Sequence, residues 1–199
     1  MLMTISADMV KELREKTGVG FMECKSALAE ANGNIEEAII ILRKRGLSSL
    51  AKKSSRDAKD GLIGSYIHNG KIGVMVEVNC ETDFVARNPD FQALVKDIAM
   101  HIAASDPRFI RKEDVSEDVL AKEREIYWEQ SRATGKPENV LEKIVDGRMS
   151  KYYSEACLLE QPFVKDPSVT VRDYIASFIQ KIGENIQVRR FVRYKLGGE

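Results

Sequence analysis

Asn79-Cys80-Glu81-Thr82-Asp83-Phe84-Val85-Ala86-Arg87-Asn88-Pro89 is the point at which the chain changes period. Residues 62–78 ahead of it alternate as strands do, and residues 91–100 behind it repeat with helical spacing. A segment that leaves a strand and enters a helix is a connection, and connections run over the surface. This one sets the apolar Phe84 and Val85 beside Asp83 and Thr82. Two readings stay open. Phe84 folds back as a staple onto the following helix, or it stands out as a wedge gripped by a sheet on one side and a helix on the other.

Upstream, residues 62–67 and 72–78 flank His68-Asn69-Gly70-Lys71, and Asn-Gly between alternating runs is a strong hairpin signal. A two-residue turn opposes Ile67 to Ile72, Ser65 to Val74 and Ile63 to Val76, an apolar face expected to meet helices. A third strand is expected over residues 187–196. It carries Val188, Val192, Tyr194 and Leu196 on one side and Phe191 among Arg189, Arg193 and Lys195 on the other. The second face of the sheet then gathers Leu62, Tyr66, Met75 and Phe191. That mixture is too apolar for plain solvent and too polar for a core, and reads as a contact surface.

The remaining segments are helical. Ser6 is a cap candidate for a first helix with Met9, Val10 and Leu13 as its stripe and Gly18 as its stop. A second helix covers residues 21–31. A third starts after Asn34 and is expected to end at Gly46. Residues 43–59 hold seven basic side chains against the single acid Asp57, with serines between them, and read as a basic linker, partly helical. The run lacks aromatics for stacking bases, so nucleic acid is not the expected partner. Beyond residue 90, Ser116 caps a helix to about Thr134, Pro137 opens another that ends near Cys157, and the two form a hairpin with its tip at Ala133-Thr134-Gly135-Lys136. Residues 158–167 read as an extended crossing, and residues 169–182 as the last helix, stopped by Gly183. The domains expected are a three-helix module at 1–46, a linker at 47–60, and an α+β core at 61–199 with the hairpin at about 116–157.

Composition excludes several classes. Lys+Arg and Asp+Glu tie at 31 each, so no overall field points to nucleic acid or membrane. No apolar run approaches the ~20 residues that span a bilayer, and Met1-Leu2-Met3-Thr4 opens no secretory signal. A cytoplasmic setting is expected. Cys24, Cys80 and Cys157 stand far apart with neither disulfide nor zinc spacing, and buried free thiols are expected. Cys80, with Glu81 and Asp83 nearby and His68 and His101 available, invites a hydrolase or metal reading. In the expected hairpin, however, His68 and Cys80 sit about 30 Å apart, and His101 lies on the order of 15 Å into its helix. No P-loop or G-x-G-x-x-G is present. Neither enzyme chemistry, nor a cofactor, nor a metal is expected.

Two stretches carry a family resemblance. Glu77-Val78-Asn79-Cys80-Glu81 with Thr82-Asp83-Phe84-Val85-Ala86-Arg87-Asn88 closely resembles the hallmark of bacterial elongation factor Ts. Val10 to Lys25, with its Thr17-Gly18-Val19-Gly20-Phe21-Met22 turn, resembles the opening domain of that family. Leu159-Glu160-Gln161-Pro162-Phe163 and residues 181–194 are family-like as well, so the resemblance covers nearly the whole chain. The three-helix module is also similar to ubiquitin-associated domains. The implied fold is α+β: this module, then a three-stranded antiparallel sheet with helices on one face. Longer members carry two half-copies of the core and a coiled-coil insert; this chain has one core and resembles the short form.

The implied function is guanine-nucleotide exchange on elongation factor Tu, in its GDP-bound and nucleotide-free states. Thr82, Asp83, Phe84 and Val85 would enter beside the Mg²⁺ and phosphate site of that partner. Arg14, Phe21 and Met22 would touch its G domain, with Phe21 where methionine is common in the family. A one-core chain would supply the further, distal contact only from a second copy of itself, so a homodimer joined through Leu62, Tyr66, Met75 and Phe191 is expected, binding two Tu molecules. The competing reading is an adaptor whose three-helix module holds a peptide or ubiquitin-like ligand.

Overall fold

The computed structural model describes residues 5–133 and 135–198. The readings at residues 1–4 and at Thr134, in the hairpin tip, lie outside the described residues. Three helices come first: α1 (Ala7–Thr17), α2 (Phe21–Glu30) and α3 (Ile35–Lys53). The Ser6 hydroxyl accepts the Met9 amide and Gly18 closes α1 in the left-handed region at φ 67°, while the Asn34 side chain accepts the Glu37 amide at the start of α3. The small core they enclose is Val10, Leu13, Val19, Cys24, Leu28 and Leu42.

In chain order there follow β1 (Asp60–His68), β2 (Ile72–Cys80), the single turn α4 (Asp83–Ala86), α5 (Pro89–Ser105), α6 (Glu117–Arg132), α7 (Glu138–Ala156), β3 (Pro162–Phe163), β4 (Asp166–Thr170), α8 (Val171–Ile182) and β5 (Gln187–Lys195). The sheet is antiparallel in the order β1-β2-β5, with α5 and α8 on one face. Val74, Val76 and Val78 of the sheet meet Phe91, Leu94, Ile98 and Ile102 of α5 and Val171, Ile175 and Ile179 of α8 in the main core. The fold is therefore α+β, with the helices on one side of a three-stranded sheet. Residues 158–167 are not an extended crossing: a 3-10 turn at Leu158–Glu160 precedes the β3–β4 ribbon. That ribbon is tied to α5 by His101, whose Nδ1 accepts the Val164 amide at 3.2 Å, so that Nε2 carries the hydrogen and donates to Gln161 Oε1 at 2.9 Å.

The third helix does not stop at Gly46. It runs on to Lys53, through most of the segment expected as a linker. Gly46 is buried, and a Cβ there would lie 3.4 Å from the Ala176 carbonyl oxygen and 3.3 Å from Gln180 Oε1. The glycine is a crossing point of α3 over α8, not a stop. Arg43 adds an ion pair to Asp173 at the same crossing. Burial works to raise the Asp173 carboxyl, but the Arg43 guanidinium and the Thr170 hydroxyl and amide outweigh it and hold the group below the ordinary carboxylate range.

The register of the hairpin differs from expectation by one residue. Asn69 and Gly70 both take positive φ and the Lys71 amide closes on the His68 carbonyl at 2.9 Å, yet His68 pairs with Ile72, making a three-residue loop. Ser65 faces Met75, Gly64 faces Val76 and Ile63 faces Glu77. Such a slip turns every side chain of one strand to the other face. The reason is Gly64. Its missing side chain lies under α5, where a Cβ would come 2.4 Å from Val95 Cγ1, and only this register puts the glycine beneath the helix.

In β5 an extra residue at Arg189 shifts the register: Val188 pairs with Val78, but Arg190 with Glu77 and Phe191 with Val76. A bulge of this kind changes the phase of the strand. Val188 and Phe191 both face inward as a result, and Val192 and Tyr194 face out.

Gly64→Ala is expected to destabilise the chain by about 1–3 kcal/mol, the cost of overpacking a close contact. Gly147→Ala, in α7 with nothing within 4 Å of the added carbon, is expected to be neutral or to stabilise by about 0.5–1 kcal/mol. Thermal unfolding of the two variants checks both signs.

Candidate functional site

The turn between β2 and α5 is built from its two ends inward. Cys80 is the last residue of β2, buried, and its thiol donates to the Thr82 carbonyl at 3.2 Å; burial pushes the thiol up to about 11. At the other end Asn88 caps α5 by accepting the Asp90 amide at 2.8 Å, with Pro89 at the first helical position. Between them α4 anchors on Ala86, which is buried, and on Val85, which packs partly against the main core. Phe84 points the other way and is 81% exposed. It does not staple onto α5. Asp83 pairs with Arg87 at 2.8 Å across one helical turn, so in the free chain this carboxylate holds the turn.

Two carboxylates, Glu184 and Glu81, brace the entry to the turn. Glu184, just past the end of α8, accepts the amides of Glu81 and Thr82 at 3.0 and 3.1 Å and the Thr82 hydroxyl at 2.7 Å. In return the Glu81 carboxylate accepts the Asn185 amide at 2.6 Å. The Asn185 side chain donates to the Arg56 carbonyl at 2.8 Å. Glu184 and Asn185 were not among the residues singled out from sequence. The cue available was Gly183-Glu184-Asn185 following a helix stop, and nothing local ties it to residues about a hundred positions earlier.

The second cluster lies on the N-terminal module. Gly18, Val19 and Gly20 join α1 to α2; Val19 is buried, while Phe21 and Met22 open α2 and are 45% and 72% exposed. Arg14, exposed, sits in the last turn of α1, beside the same connection. The buried residues of α2 are Cys24, Ala27 and Leu28, so Phe21 and Met22 are not the little core.

The third surface is the outer face of the sheet, and here the sequence expectation is corrected. Leu62, Tyr66 and Phe191 lie on the helix-facing side and pack against the main core. The register slip and the Arg189 bulge put them there. Of the four residues expected outside, only Met75 is there. With it stand Ile63 (65% exposed), Ile67 (72% exposed), Val192 and Tyr194, in the cross-strand rows Ser65–Met75–Val192 and Ile67–Gly73–Tyr194. Glu77 and Arg190, paired at 2.7 Å, border them.

The groups that suggested covalent chemistry are kept apart. His68 pairs with Ile72 at the turn of the hairpin and Cys80 with Asp60 at its far end. His101 is buried between Gln161 and Val164, and burial pushes its pKa down. Among the described residues no cluster of three or more His, Cys, Asp or Glu could hold a metal ion, and no helix is long and apolar enough to cross a membrane.

The fold and these exposed ends define a class: a single α+β core with an aromatic turn, preceded by a three-helix module. The sequence belongs to a family within it, elongation factor Ts, whose description, Elongation factor TS, matches residues 2–197. The chain is 62% identical to elongation factor Ts of Solibacter usitatus over 97% of its own length and 92% of that protein. It is 60% identical to elongation factor Ts of Alkaliphilus oremlandii, over 98% of this chain and 90% of that one. With elongation factor Ts of Fervidobacterium nodosum it shares 60% identity, over 98% of this chain and all of that one.

Because Phe84 is 81% exposed, Phe84→Ala is expected to change folding stability by no more than about 0.5 kcal/mol. Chemical denaturation checks this; a loss of 2 kcal/mol or more, on the order of that for a buried aromatic, would restore the staple.

Proposed function

We propose that this chain is a guanine-nucleotide exchange factor for elongation factor Tu in translation elongation. The observation that carries the reading is Phe84, an aromatic side chain standing in solvent on a turn fixed at both ends, in a member of the elongation factor Ts family. An aromatic ring held in water in the free protein is poised for burial in a partner.

Exchange requires differential binding: the factor must bind nucleotide-free Tu better than its GDP form, and linkage makes GDP weaken the factor's grip equally. An acceleration of about 10⁴ calls for roughly 5.5 kcal/mol, whereas burying one Phe supplies only about 1.5–3 kcal/mol. Phe84 therefore does not act alone. In this proposal Thr82, Asp83, Phe84 and Val85 enter beside the Mg²⁺ and phosphate site of Tu and disturb the shell of the metal. Arg14, Phe21 and Met22 anchor the N-terminal module on the G domain. Asp83 keeps the turn in shape through Arg87. The factor acts in the cytoplasm and contacts protein rather than nucleic acid or membrane.

The outer face of the sheet supports a homodimer, sheet against sheet, presenting two wedges to two Tu molecules. Ile63, Ile67, Met75, Val192 and Tyr194 form its apolar centre, rimmed by Glu77 and Arg190. The two proposals are tested separately.

Stopped-flow release of a fluorescent GDP analogue from Tu tests the exchange reading. The wild-type chain is expected to accelerate release, and Phe84→Ala to lose about 1.5–3 kcal/mol of that effect, roughly ten- to over a hundredfold in rate. Arg14→Ala and Met22→Ala are expected to raise the concentration needed for half-saturation instead. No acceleration by the folded wild-type chain would sink the reading and leave the peptide-binding adaptor.

Light scattering tests the dimer: a mass of twice the 22.4 kDa chain is expected, falling to one chain in Ile67→Lys/Met75→Lys. A wild-type monomer that exchanges nucleotide at full rate would end the two-plus-two complex.

A further inference from the structure

Thr82 stands at the N-cap of α4 with extended backbone, φ −134° and ψ 155°. A threonine there usually accepts the amide of the second or third helical residue and so caps its own helix. Here it makes no such bond. Its hydroxyl is turned outward and donates to Glu184 Oε1 at 2.7 Å, while Glu184 Oε2 takes the amides of Thr82 and Glu81 at 3.1 and 3.0 Å. One carboxylate, 102 residues away, collects all three donors at the root of the turn. With four residues, α4 is far too short to hold its own shape, so its direction is set from outside. The support is itself supported. Gly183 turns at φ 91° to place Glu184, Lys53 at the end of α3 donates to the Gly183 carbonyl at 2.7 Å, and the Asn185 amide is held by Glu81.

We propose that Glu184 is the positioning residue of the wedge. It touches neither partner nor nucleotide; it aims Phe84 before any partner arrives, so that contact does not have to order the turn as well. This rests on the exchange reading above. Loss of the carboxylate then lowers the rate of GDP release at saturating factor, while the encounter with Tu, made by the module, keeps its strength. Glutamine keeps most of the function. Its carbonyl oxygen can accept both amides, and its NH₂ can donate to the Thr82 hydroxyl oxygen.

The experiment uses the full chain as wild type, Glu184→Ala and Glu184→Gln, with stopped-flow release of the GDP analogue from Tu across a range of factor concentrations. Amide hydrogen exchange at Glu81 and Thr82 is measured alongside by NMR. Glu184→Ala is expected to cut the saturating rate about tenfold, one charge-assisted bond's worth of barrier, with the half-saturating concentration within about twofold of wild type. Its two amides should exchange faster. Glu184→Gln should recover most of the rate and of the protection.

Acceleration by wild type and Glu184→Ala alike overturns the positioning role and leaves the exchange reading standing. So does a parallel loss of rate, half-saturation and thermal midpoint in both variants, since a general loosening of the fold would do that. No acceleration by the wild type overturns the exchange reading and this role with it, even if the amides respond as described.

Discussion

The contact between Gly64 and Val95 decides which way the sheet faces. A side chain at position 64 would occupy the space of Val95 Cγ1, so α5 reaches the sheet only where β1 offers a glycine. That choice puts Leu62 and Tyr66 with Gly64 on the helix side and Ile63 and Ile67 on the other. The apolar outer face is thus the reverse of a packing decision made inside. One register accounts for both sides: a close helix-to-sheet approach within, and Ile63 and Ile67 exposed without.

The chain is also more continuous than a module, a linker and a core. α3 passes through the supposed boundary and lies across α8 at Gly46 and Ala176, with Arg43 and Asp173 paired at the crossing. Asp173 belongs to two structures at once, since its carboxylate also accepts the Thr170 amide and hydroxyl in the capping box of α8. The far end of the same helix leads into Gly183 and Glu184. α3 is thus pinned along α8 at both ends, by Arg43 to Asp173 and by Lys53 to the Gly183 carbonyl beside Glu184.

Much of this was legible in the residues. Ser6 and Asn34 mark helix starts by chemistry that needs no neighbours, and Gly18 and Gly183 mark stops because their backbone demands positive φ. The turn around Phe84 was legible for the same reason: a change of period is a local property. What was not legible depends on partners distant in sequence. Gly46 looks like a helix stop and Gly64 like a weak strand residue until α8 and α5 are laid over them. The bulge at Arg189 cannot be counted without knowing that Val78 takes Val188. Leu62, Tyr66 and Phe191 were assigned to the wrong face because a period of two converts one slipped residue into a full inversion. Glu184 was invisible for the plainest reason, since its three bonds cross 102 or more residues.

That separation has a meaning for the order in which the molecule comes into being. A growing chain leaves the ribosome amino end first, so the β1–β2 hairpin and Phe84 emerge long before Glu184 and β5. A two-stranded hairpin alone is marginal in water, and the carboxylate that takes the Glu81 and Thr82 amides comes only with residue 184. The aromatic emerges early, and the brace at the root of its turn emerges late. A chain interrupted short of residue 184 would carry every residue of the turn but not the carboxylate that braces its root. The brace of the turn and the third strand of the sheet both wait for the last residues of the chain to be made.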